Sequence, residues 1–410
     1  MWLAKVLLWS LLDKKQNQMN TLLTLTGLLQ TFWELTALSH LGIGHVVMLL
    51  LGICLIFLAI RYELQPLWLV PIGFGILIGN IPFFENIPFV MTNPDGSESV
   101  FYILESLPSL IPFLVPIVFL GIGAMIDFTA LIANPKLMLI GAMAQFGIFA
   151  AFIITMVFTG WLGASDPYLA GSIGIIGGAN APAAIFLAAH LTPQILGTIA
   201  IVTYFCLALT PTIQSPIMRM LTTDKERVIR MKPLRVVSQT EKILFPVVGL
   251  LLTVFLVPMA LLLLGMLFFG NLLKESGVTR RLAETVRGTI LDVATILLGL
   301  AIGVSLQAFY FLSWQTLLIL IIGAGGFKIA TCSGILFVKV MNLFLKDGNK
   351  INPLIGNAGV SAMPDAARTS QAMGASYDPT NYLLAYAKGA SVAGLIGAAV
   401  AAGILLAFWG

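Results

Sequence analysis

One polar stretch inside otherwise apolar sequence constrains the fold more than any other feature. This stretch is Ile351–Gln371, INPLIGNAGVSAMPDAARTSQ, and it lies between segments long enough to cross a bilayer. It nevertheless carries amide, hydroxyl and charged side chains together with two prolines and two glycines. Hydrocarbon offers no hydrogen-bond partner, so non-helical backbone persists at membrane depth only where protein buries it or water lines it. We therefore predict a broken segment that lines a cavity.

Composition indicates a polytopic α-helical membrane protein. The 410 residues are 59% hydrophobic and 10% charged, and the mean hydropathy is +0.99. The net charge of +4 has a local origin and does not indicate nucleic-acid binding. The three cysteines and three histidines are dispersed and have neither disulfide nor metal-site spacing.

The distribution of charge predicts the topology. Arg219–Lys242 contains seven basic and three acidic residues, and Lys274–Arg287 is a second basic stretch. The positive-inside rule places both loops in the cytoplasm, and it places Ile87–Glu105, which has acidic residues but no Lys or Arg, outside. A full crossing by Tyr168–Ala189 would put the first basic loop outside. We therefore expect Tyr168–Ala189 to dip in from outside and Ile351–Gln371 to dip in from the cytoplasm.

Two parts of the chain resemble each other at an offset of about 180 residues. GIGAMIDF at 121–128 is echoed by GLAIGVSL at 299–306, and IIGGANAPAAI at 175–185 by LIGNAGVSAMPDAA at 354–367. Like units of opposite orientation, each with a broken helix, are typical of ion-coupled transporters. The predicted fold is an all-α polytopic membrane protein with two inverted-topology repeats, whose broken or re-entrant segments meet near the midplane.

The predicted domain organisation has four parts. They are an N-terminal amphipathic segment with peripheral helices (1–105), a first repeat (106–217), basic loops with a Pro-broken hairpin linker (218–287) and a second repeat (288–410).

Several motifs resemble those of a known family. They are NPLIGNAGVSAMPDAARTSQ, VAGLIGAAVAAG at 392–403, IQSPIM at 213–218 and GG-x-x-x-P at 177–182. Together they resemble the β subunit of biotin-dependent sodium-pumping decarboxylases, which act on oxaloacetate, glutaconyl-CoA or methylmalonyl-CoA. The resemblance runs from about Gly42 to the C-terminus. It implies a subunit that decarboxylates carboxybiotin, consumes a proton and drives Na+ outward.

The resemblance also implies partners and a location. Carboxybiotin would be presented by a biotinyl carrier protein subunit after a carboxyltransferase alpha subunit has loaded it, and would not be bound covalently to this chain. Further expected partners are a small membrane gamma or delta subunit, the lipid bilayer and other copies of this chain in a homo-oligomer. The expected location is the cell inner (cytoplasmic) membrane. The basic loops could dock acidic partner surfaces, or could reflect the positive-inside rule alone.

The family's functional Asn, Gly, Ser and Arg match Asn352, Gly356, Ser361 and Arg368. Na+ is a hard cation that prefers oxygen ligands, and a guanidinium can hold a carboxylate in bidentate fashion. We therefore expect Arg368 to be buried and to bind the carboxylate of carboxybiotin. The alternative is that the polar groups only cap broken helix ends, while Arg368 pairs with Asp365 three residues away.

Other positions depart from the family pattern. Asn180, in GGANAP, stands where the family has Asp, and Cys206 stands where a functional Tyr is expected. Lys388 and Ser391 replace a Met and an Asn, and Asp292 replaces an Asn. One interpretation places Lys388 in the position of the cation, paired with Asp292. The other places both residues near the ends of their spans, at the membrane interface.

These matches and departures define the expected site. The catalytic candidates are Arg368, Ser361 and Cys206. The candidates for ion or substrate binding are Asn180, Asn352, Gly356, Ser361, Lys388 and Asp292, with Na+ expected at Asn180, Asn352 and Ser361.

Two alternatives to an intact sodium-pumping decarboxylase subunit stay open. One is a transport-only secondary transporter for a small anion, built from the same inverted repeats. The other is a Na+-independent or scaffold paralog that assembles the complex. A decarboxylase subunit depends on a biotinyl carrier, whereas a transport-only protein does not. A decarboxylase subunit also releases CO2 from carboxybiotin, whereas a scaffold does not.

Overall fold

The chain is helical throughout the part that the structure describes. The structure is a computed structural model, and it describes residues 26–30, 32–34, 36–82, 106–163, 165–346 and 348–410. Within these ranges, eight helices are long and apolar enough to cross a membrane. The predicted all-helical polytopic membrane fold is confirmed. The proposed N-terminal amphipathic helix and the acidic segment Ile87–Glu105 lie outside the described residues.

The described residues between Ile43 and Leu221 include ten α-helices. They are α1 (Ile43–Tyr62), α2 (Pro66–Gly79), α3 (Ile111–Met125), α4 (Thr129–Ala133), α5 (Lys136–Ala144), α6 (Phe146–Trp161), α7 (Pro167–Gly174), α8 (Ala181–Leu191), α9 (Leu196–Ala208) and α10 (Thr210–Leu221).

The second half contributes ten more. They are α11 (Asp224–Arg227), α12 (Gln239–Leu256), α13 (Leu261–Glu275), α14 (Arg280–Thr285), α15 (Leu291–Ser305), α16 (Ala308–Phe311), α17 (Trp314–Leu343), α18 (Leu354–Asn357), α19 (Asp365–Tyr377) and α20 (Leu384–Trp409).

The glycine-rich segment after α7 is a broken helix. After α7 the chain forms one 3-10 turn, Ile175–Gly178, and Ala179 then adopts a left-handed conformation with φ of 50°. Asn180 caps the helix that follows, α8. The side chains of this break are buried, as expected for irregular backbone at membrane depth.

The polar stretch 351–371 forms the second break. The short helix α18 ends at Asn357, and residues 358–364 are non-helical before α19 begins. The two breaks meet directly, because the backbone N–H of Ser361 donates to the carbonyl oxygen of Gly178 at 3.1 Å. Two sequence segments separated by almost half of the chain thus satisfy each other's freed backbone groups.

A buried amide network holds the second break in place. The Nδ2 group of Asn357 donates to Oε1 of Gln214 at 2.9 Å and to the hydroxyl of Ser370 at 3.1 Å. The Nε2 group of Gln214 lies 3.3 Å from the hydroxyl of Thr331. Helices α10, α17 and α19 are therefore joined around α18 by charge-free hydrogen bonds that are shielded from water.

One predicted span is interrupted and another is bent. The span predicted at Leu137–Leu162 is interrupted at Gln145, whose buried Nε2 donates to the carbonyl oxygens of Gly141 and Gly394. The span predicted at Ile195–Ile217 bends by 57° between α9 and α10. In the first case a buried polar side chain donates hydrogen bonds to backbone carbonyls of its own helix and of α20. Apolar composition alone does not reveal this interruption.

The second basic stretch, Lys274–Arg287, was predicted to be a loop, and this prediction is wrong because most of the stretch is helical. Only residues 276–279 separate α13 from α14, and α14 continues through a π-helical turn, Val286–Ile290, into α15. An exposed pair between Arg280 and Glu284, four residues apart, supports the helical conformation. The result is one 26-residue helical rod, Arg280–Ser305.

The basic chain 219–242 marks one end of the molecule, here called the basic end. Helix α13 reaches this end, because Nε2 of Gln239 donates to the carbonyl oxygen of Glu275 at 2.5 Å. Helix α3 ends beside it, because Lys274 donates to the carbonyl oxygen of Ile126 at 2.7 Å. Helix α19 reaches it as well, because Nη1 of Arg227 lies 2.6 Å from the hydroxyl of Tyr377. These contacts fix the direction of the helices that surround the candidate site.

Candidate substrate and ion cavity

A cavity of about 580 Å³ lies where the two breaks meet. Its walls are largely apolar and come from α2, α3, α9, α15 and both broken segments. The volume falls within the range of roughly 300–1,000 Å³ that is typical of small-ligand sites. Its amide, hydroxyl and carboxyl side chains are Gln65, Asn180, Tyr204, Asp292, Thr295 and Ser361.

Three of these polar groups are buried without a hydrogen-bond partner among the described residues. They are Nδ2 of Asn180, the hydroxyl of Tyr204 and the hydroxyl of Ser361. The residues are only 2%, 1% and 6% exposed. An unpartnered buried polar group costs about 1–3 kcal/mol, so three around one cavity indicate a ligand, ion or water that completes them.

Asn180 presents a donor to the cavity. Its Oδ1 accepts a hydrogen bond from the backbone N–H of Ala183 at 3.1 Å and so caps α8. Its Nδ2 is the group left unpartnered. We expected Asn180 to supply an oxygen ligand to Na+. The cap takes one lone pair of that oxygen, and the free amide suits an anion or a carbonyl oxygen.

Tyr204 lines the cavity with a buried hydroxyl, and Cys206 does not line it. The ring of Tyr204 stacks on Trp68 with centroids 5.1 Å apart and an interplanar angle of 28°. Cys206 is also buried, but it lies two residues further along α9 and does not line the cavity. Sequence reasoning missed Tyr204. The available signal was a tyrosine in an apolar helix, whose hydroxyl needs a partner when buried.

Asp292 and Thr295 lie on one face of α15 and both line the cavity. Asp292 lies five residues after Arg287, the last basic residue of the rod Arg280–Ser305. That Asp292 lies near the start of its membrane span stays a prediction.

Lys388 does not take part in the cavity. It lies in the first turn of α20, is exposed, and forms no ion pair with Asp292 among the pairs that the described residues make. The hypothesis that Lys388 occupies the cation position beside Asp292 is therefore not supported. Its position near a helix end agrees with the interfacial alternative. Ser391, one turn further on, donates to the carbonyl oxygen of Val360 at 2.9 Å and so packs against the second break.

Asn352 serves the backbone rather than the cavity. Its Nδ2 donates to the carbonyl oxygens of Arg227 and Ile229 at 2.8 and 2.9 Å, and its Oδ1 accepts from the N–H of Leu354 at 3.0 Å. The structure therefore does not bring Asn352 together with Asn180 and Ser361, as the expected Na+ site required.

Gly356 is a packing position. A Cβ on Gly356 would clash with the carbonyl oxygen of Gly334 on α17, and a Cβ on Gly334 would clash with that of Gly356. The two backbones approach so closely that neither residue tolerates a side chain without movement. Gly356 does not line the cavity, and its carbonyl accepts from the N–H of Gly359, so the expected carbonyl ligand for Na+ is not found there.

Arg368 is exposed, which corrects the expectation of a buried guanidinium. Its side chain is 72% exposed and Nη1 lies 3.8 Å from Oδ1 of Asp365. Asp365 in turn accepts a hydrogen bond from Nε2 of Gln65 at 2.8 Å, and Gln65 lines the cavity. Arg368 is thus placed beside the mouth of the cavity, one turn of α19 away from Asp365, and not inside it.

The chain between α11 and α12 lies as an extended strap across the basic end. Arg230 is bonded to Asp378 at 2.8 Å, while Asn381 reaches the same two carbonyls as Asn352. Hydrogen bonds from Thr380 and the Arg230 guanidinium hold the pKa of the Asp378 carboxyl below its usual value. This strap fixes part of the first basic stretch to the two ends of the second broken segment.

Comparisons with known proteins agree with this architecture. Residues 44–409 match the family model described as the Na+-transporting oxaloacetate decarboxylase beta subunit. The chain belongs to this family.

Its relatives include beta chains with different named substrates. The chain is 44% identical to the oxaloacetate decarboxylase beta chain 2 of Salmonella typhi, over 90% of this chain and 96% of that protein. It is 44% identical to the methylmalonyl-CoA decarboxylase subunit beta of Propionigenium modestum, over 92% and 98%. The corresponding subunit of Veillonella parvula is 46% identical over 89% and 93%. The predicted membership is thus confirmed, together with the resemblance to decarboxylase beta chains.

Proposed function

We propose that this chain is the membrane subunit of a biotin-dependent decarboxylase complex, that it decarboxylates carboxybiotin in the cavity, and that it couples this step to outward Na+ movement. One observation carries the proposal. In a chain of this family, the meeting point of the two breaks leaves Asn180, Tyr204 and Ser361 with unpartnered polar groups around a ligand-sized cavity.

The cavity's donors fit the reaction. In decarboxylation the bond between the carboxyl carbon and the ureido nitrogen breaks, CO2 leaves, and the electron pair stays on the ureido group until the nitrogen takes up a proton. The amide of Asn180 and the hydroxyls of Tyr204 and Ser361 are placed to donate to the ureido oxygen, where negative charge develops. The apolar walls favour neutral CO2 over the solvated carboxylate.

Arg368 receives the carboxylate at the mouth. Its exposed, planar guanidinium can hold the carboxyl group of an arriving carboxybiotin before the group enters the cavity. This role differs from a buried clamp, because the ion pair forms where water is still present. The link between Gln65 and Asp365 lies at the same mouth and holds α2 against α19.

Na+ is the proposed coupling ion, with the hydroxyl of Ser361 among its ligands. Hydroxyl and carboxylate oxygens suit a hard cation. The family description names Na+ transport, and the cavity offers such oxygens next to the two breaks. The breaks occur in segments of similar build, which supports inverted repeats at 106–217 and 288–410, linked by 218–287 and preceded by 1–105.

The basic end is proposed to face the cytoplasm of a cell with this chain in its inner membrane. The positive-inside rule favours this orientation for residues 219–242. Met125, in the last turn of α3, lines the cavity next to the contact between Ile126 and Lys274, so a biotinyl carrier is proposed to reach the cavity from the cytoplasm. A carboxyltransferase alpha subunit, a small gamma or delta subunit and further copies of this chain are the proposed partners. The acyl substrate is selected by another subunit.

Release of CO2 from a purified carboxybiotinyl carrier tests the proposal. Membranes that contain this chain, without the carboxyltransferase, should release CO2 from the carrier, and control membranes should not. No release with correctly inserted protein would indicate a scaffold and would refute the proposal. Movement of a small anion by the purified chain, with no dependence on the carrier, would favour the transport-only alternative.

A further inference from the structure

We propose that Asp292 and Thr295, with the hydroxyls of Tyr204 and Ser361, form the binding site for the coupling cation. The site lies on the α15 side of the cavity and not around Asn352. This inference rests on the proposed function for its biological role, but its central claim concerns the binding of a monovalent cation and can be tested without decarboxylation.

The charge of the cavity comes from Asp292. Of the described side chains that line the cavity, Asp292 carries the one carboxylate, and none is Lys or Arg. Asn180 has no charge and caps α8 with its oxygen. A single negative charge among neutral oxygens balances one monovalent cation. A divalent ion would leave excess positive charge in a site of low polarity.

Four side chains supply oxygens. Thr295 follows Asp292 by three residues, so both face the cavity from one side of α15, and its hydroxyl makes no hydrogen bond with a described residue. Two further lining residues, Tyr204 and Ser361, carry hydroxyls that are buried and unpartnered. A carboxylate with three hydroxyls is a ligand set for a hard cation. The two unpartnered groups indicate that a ligand belongs here.

The helix before Asp292 is shaped to present it. The π-helical turn Val286–Ile290 ends immediately before Leu291 and Asp292. Such turns change the rotation of the helix that follows and often occur at functional sites. Leu291 is fixed against Gly121 of α3, since a Cβ on Gly121 would lie 2.8 Å from the Cβ of Leu291. These two features together fix the face on which Asp292 and Thr295 lie.

The carboxylate of Asp292 has no basic partner. Asp292 lines the cavity, and no described basic side chain forms an ion pair with it. An unpaired carboxylate beside largely apolar walls is stabilised when a cation accompanies it.

Cation binding by the purified full-length chain in detergent tests the inference. The increase of the melting temperature is measured against NaCl, with choline chloride at equal ionic strength, for wild type, Asp292→Asn and Asp292→Glu. Glu284→Gln is the matched control, because Glu284 lies on the same helical rod but pairs with the exposed Arg280. We expect Asp292→Asn to weaken Na+ binding about 1,000-fold, which corresponds to the attraction of a unit charge within roughly 4 Å at an effective dielectric constant near 20.

The other variants complete the test. Asp292→Glu should stay within a few-fold of wild type, and Glu284→Gln should match it. Thr295→Val keeps the shape of the side chain but removes one oxygen, and it should weaken the binding of Na+ by roughly tenfold. It also tests the site if Asp292→Asn does not fold.

Two results would overturn the inference. One is an unchanged Na+ midpoint in Asp292→Asn or, if that variant does not fold, in Thr295→Val; the other is a wild-type protein that neither Na+ nor Li+ stabilises. Release of CO2 from a carboxybiotinyl carrier, measured on the same preparations, separates the two proposals. If CO2 is released and Asp292→Asn leaves Na+ binding unchanged, only the cation site is refuted. Asp292-dependent Na+ binding without CO2 release refutes only the proposed function.

Discussion

The side-chain amide of Asn352 donates to the backbone carbonyl oxygen of Arg227 at 2.8 Å. The bond joins the start of the second break to the strap at the basic end, and a second bond from the same amide reaches Ile229. The polar side chain at the start of the segment 351–371 thus holds two chain segments together. Ser361, nine residues later, opens into the cavity instead.

Replacement of Asn352 by Ala should therefore lower stability and leave cation affinity unchanged. The change removes three hydrogen bonds at a cost of about 2 kcal/mol, and only the longer bonds from Asn381 still reach the two carbonyls. Thermal unfolding in detergent, with and without Na+, measures both effects. Asn349→Ala, an exposed neighbour, is the control and should change little. A normal melting temperature with weakened Na+ binding would show that Asn352 is a ligand after all.

Tyr204→Phe should reduce decarboxylation and Cys206→Ser should not. Phe keeps the stacking on Trp68 and removes only the unpartnered hydroxyl, so stability should be maintained or slightly increased. Loss of one donor to developing charge lowers the rate by about 100-fold in comparable sites. The rate of CO2 release at saturating carrier is the measurement. Equal rates in wild type and Tyr204→Phe, or a large loss in Cys206→Ser, would contradict the assignment.

Two glycines of α17 should respond in opposite ways to alanine. A Cβ on Gly334 would clash with the backbone of Gly356, whereas a Cβ on Gly325 meets nothing within 4 Å. Gly334→Ala should cost about 3 kcal/mol or prevent folding. The stability of Gly325→Ala should equal or exceed that of wild type, because alanine is more favourable than glycine in a helix by about 1 kcal/mol. Melting temperatures provide the comparison. Similar stability of the two variants would refute close packing of α17 against the second break.

Arg368→Ala should lower activity without lowering stability. Its contact with Asp365 is long and exposed, and such pairs contribute at most about 1 kcal/mol. A residue that receives the substrate at the mouth should act mainly on KM for the carboxybiotinyl carrier, and Arg368→Lys should recover only part of the loss because it lacks the planar fork. Steady-state kinetics with varied carrier distinguish these effects. Unchanged kinetics in Arg368→Ala would exclude the proposed role.

Sequence reasoning located the breaks but not the direction of their side chains. Hydropathy and the positions of Gly, Pro and polar residues predicted broken segments near 177–182 and 351–371, because lipid tolerates neither free amides nor irregular backbone. The same argument cannot separate Asn352, which bonds to a strap 120 residues earlier, from Ser361, which faces the cavity. That difference depends on tertiary contacts between segments far apart in the chain.

Long-range contacts also explain the other differences. Tyr204 and Cys206 differ by two positions on one helix, and only packing against Trp68 decides which of them faces the cavity. Arg280–Arg287 was assigned to a loop because of its charge, yet local ion pairing and the absence of a helix breaker within α14 allow the helix to continue. The exposure of Arg368 could not be inferred from the cost of burying a guanidinium, because the chain avoids that cost.

The most direct test of the account is to measure CO2 release and uptake of labelled Na+ together. The complex is reconstituted in liposomes with its carboxybiotinyl carrier, and external Na+ is varied against choline. If one cavity performs both steps, the two rates should reach half-maximum at the same Na+ concentration and keep a constant ratio throughout. CO2 release that continues at full rate without Na+, or that proceeds while no Na+ crosses the membrane, would contradict the account.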